Sequence, residues 1–223
     1  MQLVMFDLVT MPMTDEKDNH YFLLVKDHFT KFHWGAAFPS KRAQAIADFI
    51  YKIFSNSGVP ERFHCDNGGE FINAHMNAAV ERLGNADVSH GLPRNPQCQG
   101  LIERANGTVK RKTIMKCMDH GYDNPSEPFD WVPHFLQVVT NENTSPLKIY
   151  NGLTPFLCLH LRPKLGGQHD PLGPSEITEM YGFMAQRQQD RAVRKTTTWR
   201  ISNPFVCIVR LTPGKCLGDP YHY

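Results

Sequence analysis

Residues 58–71 read Gly-Val-Pro-Glu-Arg-Phe-His-Cys-Asp-Asn-Gly-Gly-Glu-Phe and contain several abrupt changes of local preference. Gly58 and Pro60 end any helix that precedes them, and residues 62–65 favour a short strand. The strand leads into Asp66-Asn67-Gly68-Gly69, which is a turn sequence, and a helix can begin at Glu70. The stretch therefore predicts a strand between two helices, with an aspartate at the carboxyl end of the strand.

Working outward from this stretch, apolar runs at residues 2–9, 21–26 and 32–38 predict three antiparallel strands in a meander. Apolar residues at helical spacing predict a helix over 41–55, with Ser40 as its N-cap. Downstream, the pattern predicts a helix over 70–83 ended by Gly84, a strand over 86–90, and helices over 101–118 and 129–141. This order predicts an α/β fold with a five-stranded mixed sheet flanked by helices.

Two segments differ from this pattern. Residues 91–100 contain two prolines and two glycines and predict a mobile loop. Beyond about residue 165, a stretch rich in glycine and proline precedes a basic segment that allows a helix, and residues 205–211 allow one strand. We therefore divide the chain into a core, residues 1–165, and an irregular basic C-terminal extension, residues 166–223.

The composition narrows the class of protein. The chain has 41% hydrophobic and 21% charged residues, which suits a globular protein, and its net charge of +2 does not by itself require a nucleic-acid partner. Its six cysteines are scattered without a Cys-x-x-Cys pair, which favours free thiols over a structural zinc site. No apolar run of about 18 residues occurs, so no membrane span is predicted, and the apolar N-terminus reads as a strand rather than a signal peptide.

Three acidic residues lie near the ends of predicted elements: Asp7, Asp66 and Glu103. Two of them have ordinary explanations when taken alone. Asp66 fits an Asx turn, and Glu103 fits a helix-dipole partner in a first turn. Asp7 is harder to explain, because an unpaired acid inside an apolar strand is costly to bury.

Taken together, the three acids favour a metal site. One lies on the first strand, one follows the fourth strand and one lies at the start of a helix. All three can therefore converge at one edge of the sheet. Clustered carboxylates repel one another unless cations hold them, and Mg²⁺ and Mn²⁺ prefer such oxygen ligands. Two such ions can activate a water or hydroxyl and stabilise the leaving oxygen of a phosphodiester. No Ser/His or Cys/His nucleophile motif is evident.

The motifs around these acids resemble the integrase core of retroviruses and Ty3/gypsy-type retrotransposons. Asp7 and the sequence Val-Lys-Asp-His-Phe-Thr-Lys-Phe at 25–32 look like the opening hairpin of that family. Residues 58–71 are similar to its strand around the second aspartate. Asn-Pro-Gln-Cys-Gln-Gly-Leu-Ile-Glu-Arg-Ala-Asn at 95–106 resembles its motif around the glutamate. Trp131 and residues 152–156 look like downstream landmarks, so the resemblance spans roughly residues 1–165.

The resemblance implies an RNase H-like fold and a DDE-type DNA strand transferase that uses two Mg²⁺ or Mn²⁺ ions. Such enzymes hydrolyse a phosphodiester near the ends of the element's DNA and then drive the freed 3′-hydroxyl into target DNA. Asp7, Asp66 and Glu103 match the three ligand positions. The resemblance also implies element-end and target DNA as partners, homo-oligomeric assembly and a nuclear location.

The sequence departs from the family pattern at three points. Asp66 and Glu103 have 36 residues between them, one more than is usual, and we place the extra residue in the 91–100 loop. Asn95 stands where the family has histidine. The zinc-binding HHCC domain that precedes the core in the family has no counterpart in these residues, which motivates an alternative without catalysis.

Several polar residues near the acids are candidates for contacting DNA. Lys110 follows Glu103 by seven residues, so both project from one face of the predicted helix. Phosphate contacts from such residues position DNA without reading its sequence. An ordinary solvated basic face is the alternative for the helix. The candidates are Asn67, Gln97, Gln99, Asn106, Lys110 and Arg111.

Three hypotheses follow for the function. The first is an active integrase core that cleaves and joins DNA through Asp7, Asp66 and Glu103. The second is a domesticated or truncated relic that binds nucleic acid or protein without catalysis. The third is an RNase H-like nuclease that hydrolyses phosphodiesters but never joins a 3′-hydroxyl to target DNA. Carboxylate-dependent binding of Mg²⁺ or Mn²⁺ separates the first hypothesis from the second.

Overall fold

The computed structural model describes residues 1–84, 86–90, 96–124, 127–161 and 173–202, with only the backbone for 96–99 and 191–202. The chain divides into two units, Met1–Met180 and Tyr181–Tyr223. All five strands of the sheet belong to the first unit. Among the described residues, none of the helices has the length and apolar character needed to cross a bilayer.

The sheet is mixed, as the sequence predicts. Its strand order is β3-β2-β1-β4-β5, so the strand that carries Asp7 lies at the centre. β1 pairs antiparallel with β2, and β2 pairs antiparallel with β3. β4 pairs parallel with both β1 and β5. The strands are β1 (Leu3–Thr10), β2 (Tyr21–Asp27), β3 (His33–Phe38), β4 (Arg62–Cys65) and β5 (Asp87–His90).

Helices cover both faces of this sheet. The helices are α1 (Ala43–Ser57), α2 (Ala74–Arg82), α3 (Pro96–Asp119), α4 (Val132–Thr144), α5 (Pro155–His160) and α6 (Pro174–Ser202), with a 3₁₀ turn at Lys148–Tyr150. One apolar core joins the sheet to α1 and α2, and a second joins its opposite face to α3 and α4. Successive residues of β2, such as Leu23 and Leu24, enter opposite cores. Burial on both faces explains why this strand reads as one continuous apolar run.

The start of α3 corrects the sequence prediction. Residues 96–100 belong to the helix, which begins at Pro96 rather than at Leu101, so the predicted loop over 91–100 is wrong in its second half. Proline suits a first helical position because its missing N–H would be unpaired there in any case. Gly100 inside the helix costs only about 1 kcal/mol relative to alanine. Residues 91–95, the first half of the 91–100 stretch in which we place the extra residue, lie outside the described residues.

Three other helices, unlike α3, begin later than predicted. α1 starts at Ala43, and Ser40 is not its cap, since the Arg42 carbonyl accepts the bond from the Ile46 N–H. α2 starts at Ala74, where the Asn73 side chain accepts a bond from the Met76 N–H. α4 starts at Val132 with proline in its first turn. In each case a local turn or cap overrides the apolar periodicity.

The predicted division at residues 165 and 166 lies among residues 162–172, outside the described residues, and it stays a prediction. The basic segment beyond it forms part of α6, as the sequence allows. The strand considered for residues 205–211 also falls outside the described residues.

The edge strand β3 is fixed by a side chain from α4. Asn143 is buried, and its Oδ1 accepts a bond from the His33 N–H at 2.8 Å while its Nδ2 donates to the His33 carbonyl at 2.8 Å. His33 points both backbone groups away from β2, so Asn143 supplies the partners that a further strand would otherwise provide. A buried backbone group without such a partner would cost stability.

We predict that Asn143→Ala lowers the free energy of unfolding by about 2–4 kcal/mol, because it leaves the N–H and the carbonyl of His33 buried and unpaired. Urea unfolding at pH 7 measures the change. Asn141→Ala is the matched control, since Asn141 lies two residues earlier in the same helix and is exposed. Equal effects of the two substitutions would show that the backbone bonds to His33 contribute nothing.

Candidate active site

The three predicted acids line one pocket of about 110 Å³. Met5 of β1 lies opposite His64 of β4, and Asp7 and Asp66 each lie two residues further along these parallel strands. Side chains two residues apart project from the same face of a sheet, so both carboxylates face α3, which carries Glu103. The remaining lining residues are Phe6, His64, Cys65 and Ile102.

Asp7 is held by two hydrogen bonds. Its Oδ1 accepts from the Leu8 N–H at 2.8 Å, and its Oδ2 accepts from Nδ2 of Asn106 at 2.7 Å. Asn106 is buried and lies three residues after Glu103 on α3, so the same helix face presents both side chains to β1. Asn106 therefore orients Asp7 within the pocket. The prediction of Asn106 as a DNA-binding residue did not include this contact.

The pKa of the Asp7 carboxyl is raised from 3.8 to about 6, chiefly by burial and then by the neighbouring charge of Asp66, with a smaller contribution from Glu103. The hydrogen bonds from Leu8 and Asn106 act in the opposite direction. The three acids are therefore close enough to affect one another electrostatically. Such a perturbed acid in a pocket is typical of functional sites.

The turn after β4 sets the position of Asp66. Its Oδ1 accepts a bond from the Gly68 N–H at 2.9 Å, which is the Asx turn that the sequence suggests. A Cβ at residue 68 would lie 2.6 Å from Oε2 of Glu70 and 3.0 Å from Oδ1 of Asp66. Glycine at this position thus keeps two carboxylates close together. Asp66 forms the Asx turn and also lines the pocket. Its interpretation as a turn residue is therefore compatible with its interpretation as a site residue.

Glu103 does not lie in a first helical turn. Because α3 begins at Pro96, Glu103 is seven residues inside the helix, beyond the range over which the helix dipole acts. Its side chain is exposed and borders the pocket with Asp7 and Asp66. The helix-dipole explanation that the sequence allowed for Glu103 is therefore wrong.

The donor chemistry of this pocket suits a hard divalent cation, but the side chains are not gathered into a finished coordination sphere. Within the described parts of the chain, no three His, Cys, Asp or Glu groups stand close enough to hold a metal ion together. The carboxylate oxygens of Asp7 and Asp66 already accept hydrogen bonds from groups of the same chain. Side-chain rotation would have to bring the three carboxylates together, and their assignment as metal ligands stays a prediction.

The remaining DNA-binding candidates have different environments. Nζ of Lys110 donates to the Thr10 carbonyl at 2.7 Å, so this lysine lies along the end of β1 on the pocket side of α3. Arg111 and Asn67 are exposed. The side chains of Gln97 and Gln99 lie outside the described residues. Binding of DNA by these residues stays a prediction.

Two side-chain contacts close to the acids were not predicted from the sequence. His64 pairs with Ser89 at 3.1 Å, and Sγ of Cys65 lies 3.3 Å from Nδ1 of His90. Burial lowers the pKa of His64, and the neighbouring His90 lowers it further. These pairs join β4 to β5 immediately before Asp66. The only available sequence signal was the position of His64 two residues before the second aspartate.

Metal-free protein should show a titration midpoint near 6 for the Asp7 carboxyl carbon by NMR in EDTA. We predict that Asp66→Asn lowers this midpoint clearly and that Glu103→Gln lowers it less, because Asp66 is the larger of the two charge effects. Since the folded-state pKa exceeds the unfolded value, the metal-free protein should lose stability as the pH rises from about 4 to about 6. A wild-type midpoint near 3.8 would contradict the prediction.

The sequence of this chain is similar to those of retroviral polyproteins. No family model matches the chain. The chain is 28% identical over 179 residues to the Pol polyprotein of Radiation murine leukemia virus (strain Kaplan), covering 78% of this chain and 29% of that protein. It therefore spans less than a third of that relative, and 9% and 12% of the matched Gag-Pol polyproteins of Koala retrovirus and Woolly monkey sarcoma virus.

Solved structures give the same result for the fold. The catalytic core domain of BIV integrase has a TM-score of 0.56 at 19% identity, over 71% of this chain and 93% of that one. The simian T-cell lymphotropic virus intasome, determined with a PP2A regulatory subunit, has a TM-score of 0.59 at 18% identity, over 78% of this chain and 58% of that one. The chain is therefore related to retroviral Pol polyproteins and has the RNase H-like fold of the integrase catalytic core.

Proposed function

We propose that this chain is an integrase catalytic core that hydrolyses phosphodiesters and transfers DNA strands through Asp7, Asp66 and Glu103. The observation that carries the proposal is the convergence of these three carboxylates, from three separate elements, on one pocket in which burial and charge perturb Asp7. The relationship to Pol polyproteins supports the same assignment.

Asp7, Asp66 and Glu103 would hold Mg²⁺ or Mn²⁺, which supplies charge neutralisation and an activated oxygen nucleophile when bound. The chain's own residues prepare the pocket for this role. Asn106 keeps the Asp7 carboxylate directed into the pocket, and the Gly68 N–H fixes the carboxylate of Asp66. The raised pKa of Asp7 means that the metal-free pocket holds a proton up to about pH 6, so cation binding should weaken as the pH falls below that value.

DNA would lie along the exposed side of α3. Lys110 and Arg111 follow Glu103 by two turns and would contact the phosphates of a DNA strand held at the acids. Asn67, Gln97 and Gln99 would contact the same strand, and Asn106 would act through Asp7. The intasome neighbour motivates homo-oligomeric assembly on element-end and target DNA. We expect such an assembly to act in the nucleus.

The second candidate is an integrase-derived binding module without catalysis. It is favoured by one observation, that the described carboxylates are not gathered at joint ligand distance, while Asp7 already has two hydrogen-bond partners. The two candidates differ in whether a divalent cation can replace these internal contacts. Binding of the cation therefore separates them independently of any DNA substrate.

Thermal unfolding tests the metal site. We predict that millimolar Mn²⁺ raises the melting temperature of the wild-type chain at pH 7.5, because a ligand bound only by the folded state stabilises it. In Asp66→Asn the rise should disappear, while the melting temperature without metal should increase, since the repulsion of Asp7 by Asp66 is removed. Asp48→Asn is the matched control, because Asp48 is exposed on α1, which packs against the face of the sheet opposite the acids. An equal Mn²⁺ effect in all three proteins would support the binding-module candidate.

DNA cleavage and joining test the reaction. With a labelled duplex and Mn²⁺, we predict that Asp66→Asn and Glu103→Gln each lower the cleavage rate by about a thousandfold, the scale of a lost electrostatic group in an active site. Asp48→Asn should cleave at the wild-type rate, since Asp48 is exposed on α1 and far from the acids in the fold. Products longer than the substrate would show that a 3′-hydroxyl has been joined to target DNA, whereas cleavage without such products would indicate a plain nuclease. Wild-type cleavage by Asp66→Asn would exclude both enzymes.

A further inference from the structure

A second pocket, of about 270 Å³, lies beside the carboxylate pocket on the same face of the sheet. Leu3 of β1 lies opposite Arg62 of β4, and Met5 lies opposite His64, and all four side chains line this second pocket. His64 lines both pockets. The second pocket therefore extends along the two parallel strands, starting next to Asp7 and Asp66.

The walls of the second pocket combine apolar surface with a small number of polar groups. Leu3, Met5 and Leu101 supply the apolar surface, while the polar groups come from His28, Arg62, His64 and Ser89. Binding sites for small organic groups commonly have this composition, in which apolar walls hold a ring and a few polar atoms orient it. A planar heterocycle with polar edges fits these walls better than a simple ion does.

The hydrogen bonds of Ser89 determine which atom of His64 can accept. The Ser89 hydroxyl donates its one proton to the Phe63 carbonyl at 3.0 Å. With the hydroxyl proton on the Phe63 carbonyl, the 3.1 Å contact with Nδ1 of His64 is one in which Nδ1 donates and the hydroxyl accepts. In the neutral ring this leaves Nε2 without a proton, so Nε2 is a hydrogen-bond acceptor.

This acceptor is buried without a donor. Nε2 of His64 has almost no solvent exposure, and no group in the described part of the chain donates a hydrogen bond to it. A buried acceptor that lacks a donor is costly, so a ligand that brings an N–H group would gain from meeting it. The amino and imino groups on the edges of nucleobases are donors of this kind.

Arg62 supplies a cation at the outer end of the second pocket. Its side chain is 57% exposed, and its carboxylate partner Asp87 lies 3.5 Å away and is 72% exposed. Ion pairs exposed to this degree contribute little, so the guanidinium can turn to a phosphate at small cost. His64 thus lies at the end of the second pocket next to the acids, and a phosphate-binding cation lies at the other end.

We propose that the second pocket takes an unstacked nucleobase, and that the His64 ring turns so that Nε2 accepts an N–H hydrogen bond from the base. The base belongs to a nucleotide next to the phosphodiester at Asp7 and Asp66, so this inference rests on the proposed function. Asp66 lies two positions after His64 in the chain, a distance of about 7 Å, which one nucleotide can span. Enzymes that read single bases in this way use ring stacking and hydrogen bonds to the base edge.

The first test uses the full chain with ¹⁵N-labelled histidine in EDTA, titrated with 2′-deoxyadenosine 5′-monophosphate. The Nε2 resonance of His64 should move in a saturable manner as it accepts a hydrogen bond. The matched probe, 2-deoxyribose 5-phosphate, has no base and should leave that resonance in place. Equal movement with both probes would indicate a phosphate site alone, and no movement with either would also overturn the proposal.

Variants locate the binding. Leu101→Trp fills the second pocket from α3 and should weaken binding of the nucleotide at least tenfold, whereas Met115→Trp, at a position that is 57% exposed on the same helix, should not. His64→Phe should weaken binding to a similar degree, and His64→Gln, which keeps an acceptor near the position of Nε2, should restore most of it. Circular dichroism checks that each variant is folded. Equal weakening by both tryptophan variants would contradict the proposal.

The EDTA condition separates this inference from the proposed function. If the nucleotide fails to bind while Asp66-dependent cleavage in Mn²⁺ persists, the base pocket is wrong and the carboxylate site stands. If the nucleotide binds while Asp66→Asn cleaves like the wild type, the pocket stands as a nucleotide site and the proposed catalysis is wrong.

Discussion

The parallel pairing of β1 with β4 is the constraint on which the site depends. It places Asp7, inside β1, beside Asp66, which follows the carboxyl end of β4, although more than fifty residues of sequence separate the two strands. The resulting repulsion is part of the native state, since the charge of Asp66 helps to raise the pKa of Asp7. The apolar cores on both faces of the sheet must outweigh this electrostatic cost. A cation would relieve it, so folding and metal affinity are coupled through the same pair of carboxylates.

The helix α3 carries the other half of the site. Asn106 and Glu103 lie on one helix face, so a single rigid element both orients Asp7 and presents the third carboxylate. Lys110 extends this face by another turn and is tied to the end of β1 through Thr10. Any displacement of α3 against β1 would therefore change the orientation of Asp7, the separation of the acids and the position of the basic residues together. The site is best regarded as the interface between one strand pair and one helix.

The sequence predicts the sheet and the convergence of the acids because both depend on local patterns. Apolar runs mark the strands, and Asp7 and Asp66 stand at or near strand ends, where geometry brings side chains to one edge. The partner of Asn106 was not predictable, since helical spacing indicates which face a residue occupies but not which atom it meets. The contact between Asn143 and His33 joins residues 110 positions apart and has no local signature. The start of α3 was misjudged because glycine and proline were taken as loop residues, although proline at a first position favours a helix.

The bonds between Asn143 and His33 also bear on how copies of this chain can associate. β3 is an edge strand, and an edge with unpaired backbone groups invites another strand to extend the sheet. At His33 those groups are already occupied by a side chain of the same molecule. A continuous sheet across two subunits is therefore blocked at this position. Contacts between subunits at this point of the β3 edge would have to form through side-chain surfaces, which can separate and form again without unfolding of the chain.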